Sequence, residues 1–243
     1  MSLKYDSAKK LRKEKKKFRI DSWQEYEERE EKFLKERLHY KEPTIYTSVR
    51  ITGGKAKNFK IDVPPKTRPL TDRMKVTIFN LLKEDISNKT VLDLYAGSGS
   101  FGLEALSRGA KEATFVDASR QADIILRRNI AHTGFLPEAE VVKSKVEDFL
   151  LKTKQSDKTY DIIFFDPPYK LYNTKKIKKM ELTINETSKL LPGVKESSKK
   201  QFKGAIIIKH PRRYPIDTLQ LEYIKRVESY NFGLNSISFY IVK

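Results

Sequence analysis

Asp166-Pro167-Pro168-Tyr169 directly follows the apolar run Ile162-Ile163-Phe164-Phe165. The run is short and rich in β-branched and aromatic residues, so it reads as a strand buried on both faces. Two successive prolines cannot donate to a ladder and end the strand there. An acid, a stiff turn and an aromatic ring are thus presented together at a strand's carboxyl end, where ligands bind in open α/β sheets. Taken alone, the four residues equally allow a bare Pro-Pro turn with Tyr169 packed in the core.

A second group of residues bears on that choice. Gly97-Ser98-Gly99-Ser100-Phe101-Gly102 has the G-x-G-x-x-G spacing, and Asp117 stands twenty residues after Gly97. Read literally, this is a dinucleotide fingerprint in which glycines let the backbone approach a ligand and a helix start offers N–H groups to an anion. Asp93, at the end of the preceding strand, argues for a different ligand. Its carboxylate would repel a pyrophosphate but favour an ammonium group. S-adenosylmethionine carries an amino-acid end, so the helix terminus can take its carboxylate while Asp93 holds its ammonium. Asp117 then suits the ribose hydroxyls, a role that dinucleotide folds also use. No Gly-Lys-Ser/Thr follows the loop, so it is not a P-loop.

These residues sit in a repeating pattern of strand and helix. The sequence predicts strands at 91–94, 113–116, 140–142, 160–165 and 205–208. Helices are predicted at 101–107, 119–132 and 146–151, together with a lysine-rich helix reaching Leu190-Leu191. Gly109 and Gly134 stop the first two helices. Such alternation demands an α/β fold with a doubly wound, mostly parallel sheet. Residues 221–230 and 236–242 flank a turn containing Gly233 and predict a terminal antiparallel hairpin. Ahead of the sheet, residues 45–63 read as a strand pair about Gly53-Gly54. Thr71 is placed to cap a helix running through Met74, Ile78, Leu81 and Leu82. Residues 22–40 carry apolar residues at helical spacing behind a Ser22/Glu25 capping box, preceded by a basic run at 9–19.

Composition narrows the partners. Lys and Arg total 50 against 32 Asp and Glu, a net charge of +18 on 243 residues. That excess points to a polyanion, nucleic acid before membrane surface. The absence of cysteine removes disulfides, thiolate catalysis and Cys-based zinc sites. His39, His132 and His210 are too far apart in sequence to form a local ligand motif, so no metal is expected. No run approaches a membrane span and the amino end lacks a secretory apolar region, so a cytoplasmic protein is expected.

Val91-Leu92-Asp93-Leu94-Tyr95-Ala96-Gly97-Ser98-Gly99 resembles the cofactor loop of class I S-adenosylmethionine-dependent methyltransferases. Asp166-Pro167-Pro168-Tyr169 resembles the (Asp/Asn)-Pro-Pro-aromatic motif of enzymes that methylate planar nitrogens. Arg50-Ile51-Thr52-Gly53-Gly54-Lys55, Arg68-Pro69-Leu70-Thr71-Asp72-Arg73 and Gly102-Leu103-Glu104-Ala105-Leu106-Ser107-Arg108-Gly109-Ala110 are similar to the RsmD family of small-subunit (16S) rRNA guanine-N2 methyltransferases.

The resemblance implies a seven-stranded Rossmann-like domain over 86–243, a hairpin-and-helix leader over 43–85 covering the site, and a charged extension over 1–42. It implies a monomer acting on small-subunit rRNA or an assembly particle. Cofactor contacts fall on Asp93, Tyr95, Gly97, Ser98, Gly99, Asp117, Lys145 and Asp166, with Ser144-Lys145 standing where many such enzymes place an acid for adenine. Arg50, Lys55, Arg68, Arg73, Lys175 and Lys176 are expected to meet RNA, and Pro168 and Tyr169 the base. The lysine-rich 195–203 loop looks like an insertion, and Lys209-His210 occupies a place where an acid is common in the family.

An exocyclic amine on a purine or pyrimidine is a poor nucleophile because its lone pair is delocalised. Asp166 and the Pro167 carbonyl, as catalytic groups, would accept its two N–H hydrogens, orient the nitrogen and stabilise its developing charge. Tyr169 would stack on a flipped base, worth roughly 1–3 kcal/mol. Adenine N6, cytosine N4 and a protein glutamine amide suit the same chemistry. A nicotinamide-dependent oxidoreductase and a non-catalytic RNA-binding assembly factor are the readings from other classes.

Overall fold

The apolar strands order a seven-stranded sheet. The computed structural model describes residues 47–64, 70–154, 156–173, 176–194 and 203–243. The expected extension over 1–42, Arg68, Lys175 and most of the 195–203 insertion lie outside the described residues. Residues 46–243 form one compact unit.

A leader comes first: β1 (Ser48–Arg50) pairs antiparallel with β2 (Lys60–Asp62), and α1 (Asp72–Leu82) follows. The main sheet alternates β3 (Thr90–Leu94), α2 (Ser100–Ser107), β4 (Glu112–Asp117), α3 (Arg120–Thr133), β5 (Ala139–Lys143), α4 (Val146–Thr153), β6 (Ile162–Phe165), α5 (Ile177–Ser188) and β7 (Ala205–Pro211). It ends in a hairpin, β8 (Ile224–Phe232) and β9 (Asn235–Val242). Strand order is β5-β4-β3-β6-β7-β9-β8, parallel through β7 and antiparallel beyond it. The order reverses between β3 and β6, which makes the crevice above that pair the topological switch point.

All four residues of β6 are buried. Ile162 and Phe164 join the apolar cluster on one face, and Ile163 and Phe165 the cluster on the other. This is the two-faced burial the uninterrupted apolar run requires. The cap expected at Thr71 forms, and Ser119, expected inside the next helix, caps it instead. Thr71 accepts from Met74 N–H at 3.3 Å, and Ser119 from Ala122 N–H at 3.3 Å. Gly134 closes α3 in the left-handed conformation at φ 79°.

Several boundaries differ from the expectation. The leader strands keep only three residues each, because 51–59 leaves the ladder to dock on α2. Leu81 is exposed, so the buried stripe of α1 is Met74, Ile78, Phe79 and Leu82. Tyr160 is buried outside the strand, its N–H donating to the Leu190 carbonyl. Strand β7 runs three residues past Ile208 because β9 continues to pair with it as far as Pro211.

The leader shares its core with the sheet: Ile51, Ile61, Met74 and Ile78 belong to the cluster that contains Val91 and Phe164. Docking depends on Gly54, at φ 77°, whose added Cβ would stand 1.8 Å from the Ser107 carbonyl oxygen. Backbone cannot yield there as a side chain can. Gly54→Ala is expected to lower stability by about 1–3 kcal/mol, read as a shift of the urea midpoint. An unchanged midpoint would contradict the docking of the leader on α2.

Candidate active site

The carboxyl ends of β3, β4 and β6 bring the two predicted motifs together. In the parallel register Asp93 lies opposite Phe164 and Leu94 opposite Phe165. The glycine loop and the Asp166 turn therefore leave adjacent strands. The Asp166 N–H donates back to the Leu94 carbonyl at 3.4 Å, and the Tyr95 ring meets Phe165 edge-on at 5.5 Å.

The loop turns tightly. Tyr95, Gly97 and Gly99 all have positive φ (61°, 56° and 77°), and only the glycines adopt it without side-chain strain. The Gly97 N–H donates to Asp117 Oδ2 at 2.9 Å and the Ser119 N–H to Oδ1 at 2.8 Å. Two backbone donors thus fix Asp117, and each oxygen keeps a lone pair for a hydroxyl. Asp93 is 1% exposed, with Oδ2 accepting from the Gly102 N–H at 2.9 Å. Burial pushes its carboxyl well above the usual range, and the charges of Asp166 and Asp117 push it further. Ser98 is buried. Ser100, the first residue of α2, buries its hydroxyl without a hydrogen-bond partner among the described residues. An unpaired buried donor is costly and fits a ligand's anionic oxygen.

The opposite wall is the turn after β6. Pro167 is buried, Pro168 exposed, and Tyr169 begins a short 3-10 turn ending at Leu171. Tyr169 is half-buried, while the aromatic that enters the core is Tyr172, 1% exposed. The Tyr172 hydroxyl donates to the Lys209 carbonyl at 2.5 Å. Lys209 itself, 5% exposed, places its Nζ 2.7 Å from Asp166 Oδ1 and 2.8 Å from Oδ2. Sequence reasoning left Lys209 out of the site. The available signal was a lysine closing the buried run 205–208, a position that needs an acidic partner.

The other candidates spread out from this centre. Lys145 is the exposed N-cap of α4 at the end of β5, on the same sheet edge. Arg50 is paired with Asp72 at 2.7 Å, and the Arg73 guanidinium lies 6.0 Å from the ring of Phe232 at the hairpin tip. Lys176 is exposed beside the start of α5, followed by exposed Lys178 and by Lys179, which pairs with Glu147 at 2.9 Å. Lys55 is placed elsewhere. Its N–H donates to the Ser107 carbonyl at the far end of α2, about 12 Å along that helix from the glycine loop. Among the described residues, no group of His, Cys, Asp or Glu is arranged to hold a metal ion, and no helix is long and apolar enough to cross a membrane.

A switch-point crevice with a glycine loop on one strand and an Asp-Pro-Pro-Tyr turn on the next defines a class I methyltransferase fold. A family model described as conserved hypothetical protein 95 matches residues 49–241, and the chain belongs to that family, the RsmD family. The chain is 41% identical over 124 residues to ribosomal RNA small subunit methyltransferase D of Escherichia coli (strain K12), an alignment covering 50% of this chain but 61% of that protein. The putative rRNA methyltransferase YlbH of Bacillus subtilis is 30% identical over 195 residues, 79% of this chain and 98% of that protein. Among solved structures, the putative methyltransferase yhhF from E. coli superposes with a TM-score of 0.64 at 29% identity, covering 81% of this chain and 99% of that one.

The buried acid makes a pH-dependent prediction. Asp93 must be ionised to hold an ammonium, and its proton affinity is raised in the free protein. Affinity for S-adenosylmethionine should therefore rise with pH through the range in which Asp93 loses its proton. Asp93→Asn should weaken binding and flatten that rise. Calorimetric titrations across pH check this, and an unflattened rise in the variant would remove Asp93 from the role.

Proposed function

We propose that this chain transfers a methyl group from S-adenosylmethionine to the exocyclic N2 amine of a guanine in small-subunit rRNA. The observation that carries the reading is the placement of Asp166 and the glycine loop on neighbouring strand ends, one motif for the amine and one for the donor. The names of the relatives support rRNA as the substrate, and the net charge of +18 supports a polyanion. The chain's own residues fit the donor. Ser100 and the start of α2 would receive its carboxylate, Asp93 its ammonium and Asp117 its ribose hydroxyls. The backbone at Ser144-Lys145 would border the adenine.

When bound, the donor supplies an electrophilic methyl group on a sulfonium. Asp166 and the Pro167 carbonyl accept the two N–H hydrogens of the target amine and turn its lone pair toward that methyl. Each Asp166 oxygen already accepts from Lys209, and its second lone pair remains for the amine. Transfer to the nitrogen so held would break the donor's methyl–sulfur bond and leave its electron pair on sulfur. The nitrogen then sheds its extra proton to water, so Asp166 orients the amine without acting as a strong base. Half-buried Tyr169 offers its ring face to the flipped base.

Small-subunit particles from cells lacking the protein provide the assay, with a labelled methyl donor. Asp166→Ala should reduce kcat by roughly a hundredfold or more while retaining RNA binding. A variant that methylates as fast as the wild type would remove Asp166 from the chemistry.

The exposed lysines before and within α5 are proposed to grip phosphates beside the target. Replacing Lys176, Lys178 and Lys179 by Ala should weaken RNA binding and make the slope of log affinity against log salt shallower by about one to two units. An unchanged slope would leave these lysines as a solvated face.

A further inference from the structure

The cation facing Asp166 comes from the protein itself. Lys209 lies within the buried part of β7 with a side chain that is nearly all enclosed, and its ammonium spans both carboxylate oxygens. Its backbone is fixed on both sides. The register pairs Lys209 with Ile237 in β9, and Tyr172 donates its hydroxyl to the Lys209 carbonyl. The ammonium also lies 5.9 Å from the Tyr169 ring centre. Asp166 therefore enters the reaction with its charge already balanced and its rotamer held by two bonds.

That balance has a consequence for ligand exchange. A methyl group passes only to a nitrogen that touches it, so the donor's sulfonium and Asp166 share one site. The sulfonium is a cation, whereas the sulfur left after transfer is a neutral thioether. The amino, carboxylate, ribose and adenine groups are common to donor and product, so Asp93 and Asp117 act on both alike. Besides the methyl group itself, it is the charge at the sulfur that separates the two ligands. An unpaired carboxylate there would hold the donor far more tightly than the product, and an ion-paired one would not.

We propose that Lys209 is the positioning and charge-balancing residue of this site: it fixes the Asp166 carboxylate and cancels its preference for the cationic donor over the neutral product. The inference rests on the methyltransferase reading above. It assigns a role to a lysine at a place where, by resemblance, the family commonly carries an acid.

The test is the ratio of dissociation constants for S-adenosylhomocysteine and S-adenosylmethionine, measured by calorimetry on the full chain without RNA. Lys209→Met keeps much of the side-chain volume and removes the charge, and should shift the ratio toward the donor on the order of tenfold. Asp166→Asn leaves Lys209 as an uncompensated cation and should shift the ratio the other way. The double variant should return to within about twofold of wild type, as expected when two charges cancel. An unchanged ratio in Lys209→Met, or a shift that survives in the double variant, would overturn the proposal. If Lys209→Met does not fold, Asp166→Asn decides alone: a ratio unchanged or moved toward the donor overturns it. Wild-type protein that binds neither ligand would overturn the methyltransferase reading itself, a failure distinct from an unchanged ratio.

Discussion

The parallel pairing of β3 with β6 is the constraint on which the rest of the site depends. These two strands occupy the centre of the sheet, and the chain's direction of winding reverses between them. Their carboxyl ends open the crevice into which both motifs project. A shift of one residue in this register would turn every side chain of β6 to the opposite face. It would exchange the cluster containing Phe164 with the cluster containing Phe165 and carry Asp166 off the edge it shares with Asp93. The register is held by packing and, at its start, by Asp161 Oδ2, which accepts from the Thr90 N–H and hydroxyl at 2.9 Å each. Phe164 stacks on Phe101 of α2 at 4.6 Å, while Phe165 takes the edge of Tyr95. The same rings that fill the core thus align the glycine loop and the Asp166 turn.

The leader is attached by a different physical device. Glu104, on α2, is fully buried and its carboxylate accepts from the Thr52 N–H, the Thr52 hydroxyl and Arg108 Nε. A buried carboxylate is tolerable only when its lone pairs are satisfied, and here a leader residue supplies two of the three donors. Arg108 in turn lies over the Phe79 ring of α1 at 5.1 Å. Lys75 of α1 buries its ammonium against the Arg50 carbonyl, and that burial lowers its pKa from the ordinary lysine value. These contacts hold β1 and α1 in a single arrangement, so Arg50 and Arg73 are presented by a fixed element.

Much of this was legible in the sequence, for reasons that differ by element. The strands and helices of the sheet were visible because apolar runs, capping residues and stop glycines agree locally: Thr71 and Gly134 act where the pattern places them. The glycine loop and Asp166 turn were legible because their chemistry lies in consecutive residues. What the sequence concealed depends on contacts between distant segments. Lys209 and Asp166 are separated by 43 positions and meet only because β6 and β7 pair. Lys55 reads as one more leader cation, yet its backbone docks at the far end of α2. Leu81 fits the helical period but faces solvent, because a period marks a stripe without setting its width.

The central claim is that donor and amine meet at this strand edge and that the amine is the N2 of a guanine. Nucleoside mass spectrometry of small-subunit rRNA, from cells with and without the protein, tests it most directly. The account predicts N2-methylguanosine that is present with the protein, absent without it, and restored by the purified chain and S-adenosylmethionine. A methylated adenine or cytosine in its place, or no difference between the two rRNAs, would contradict it.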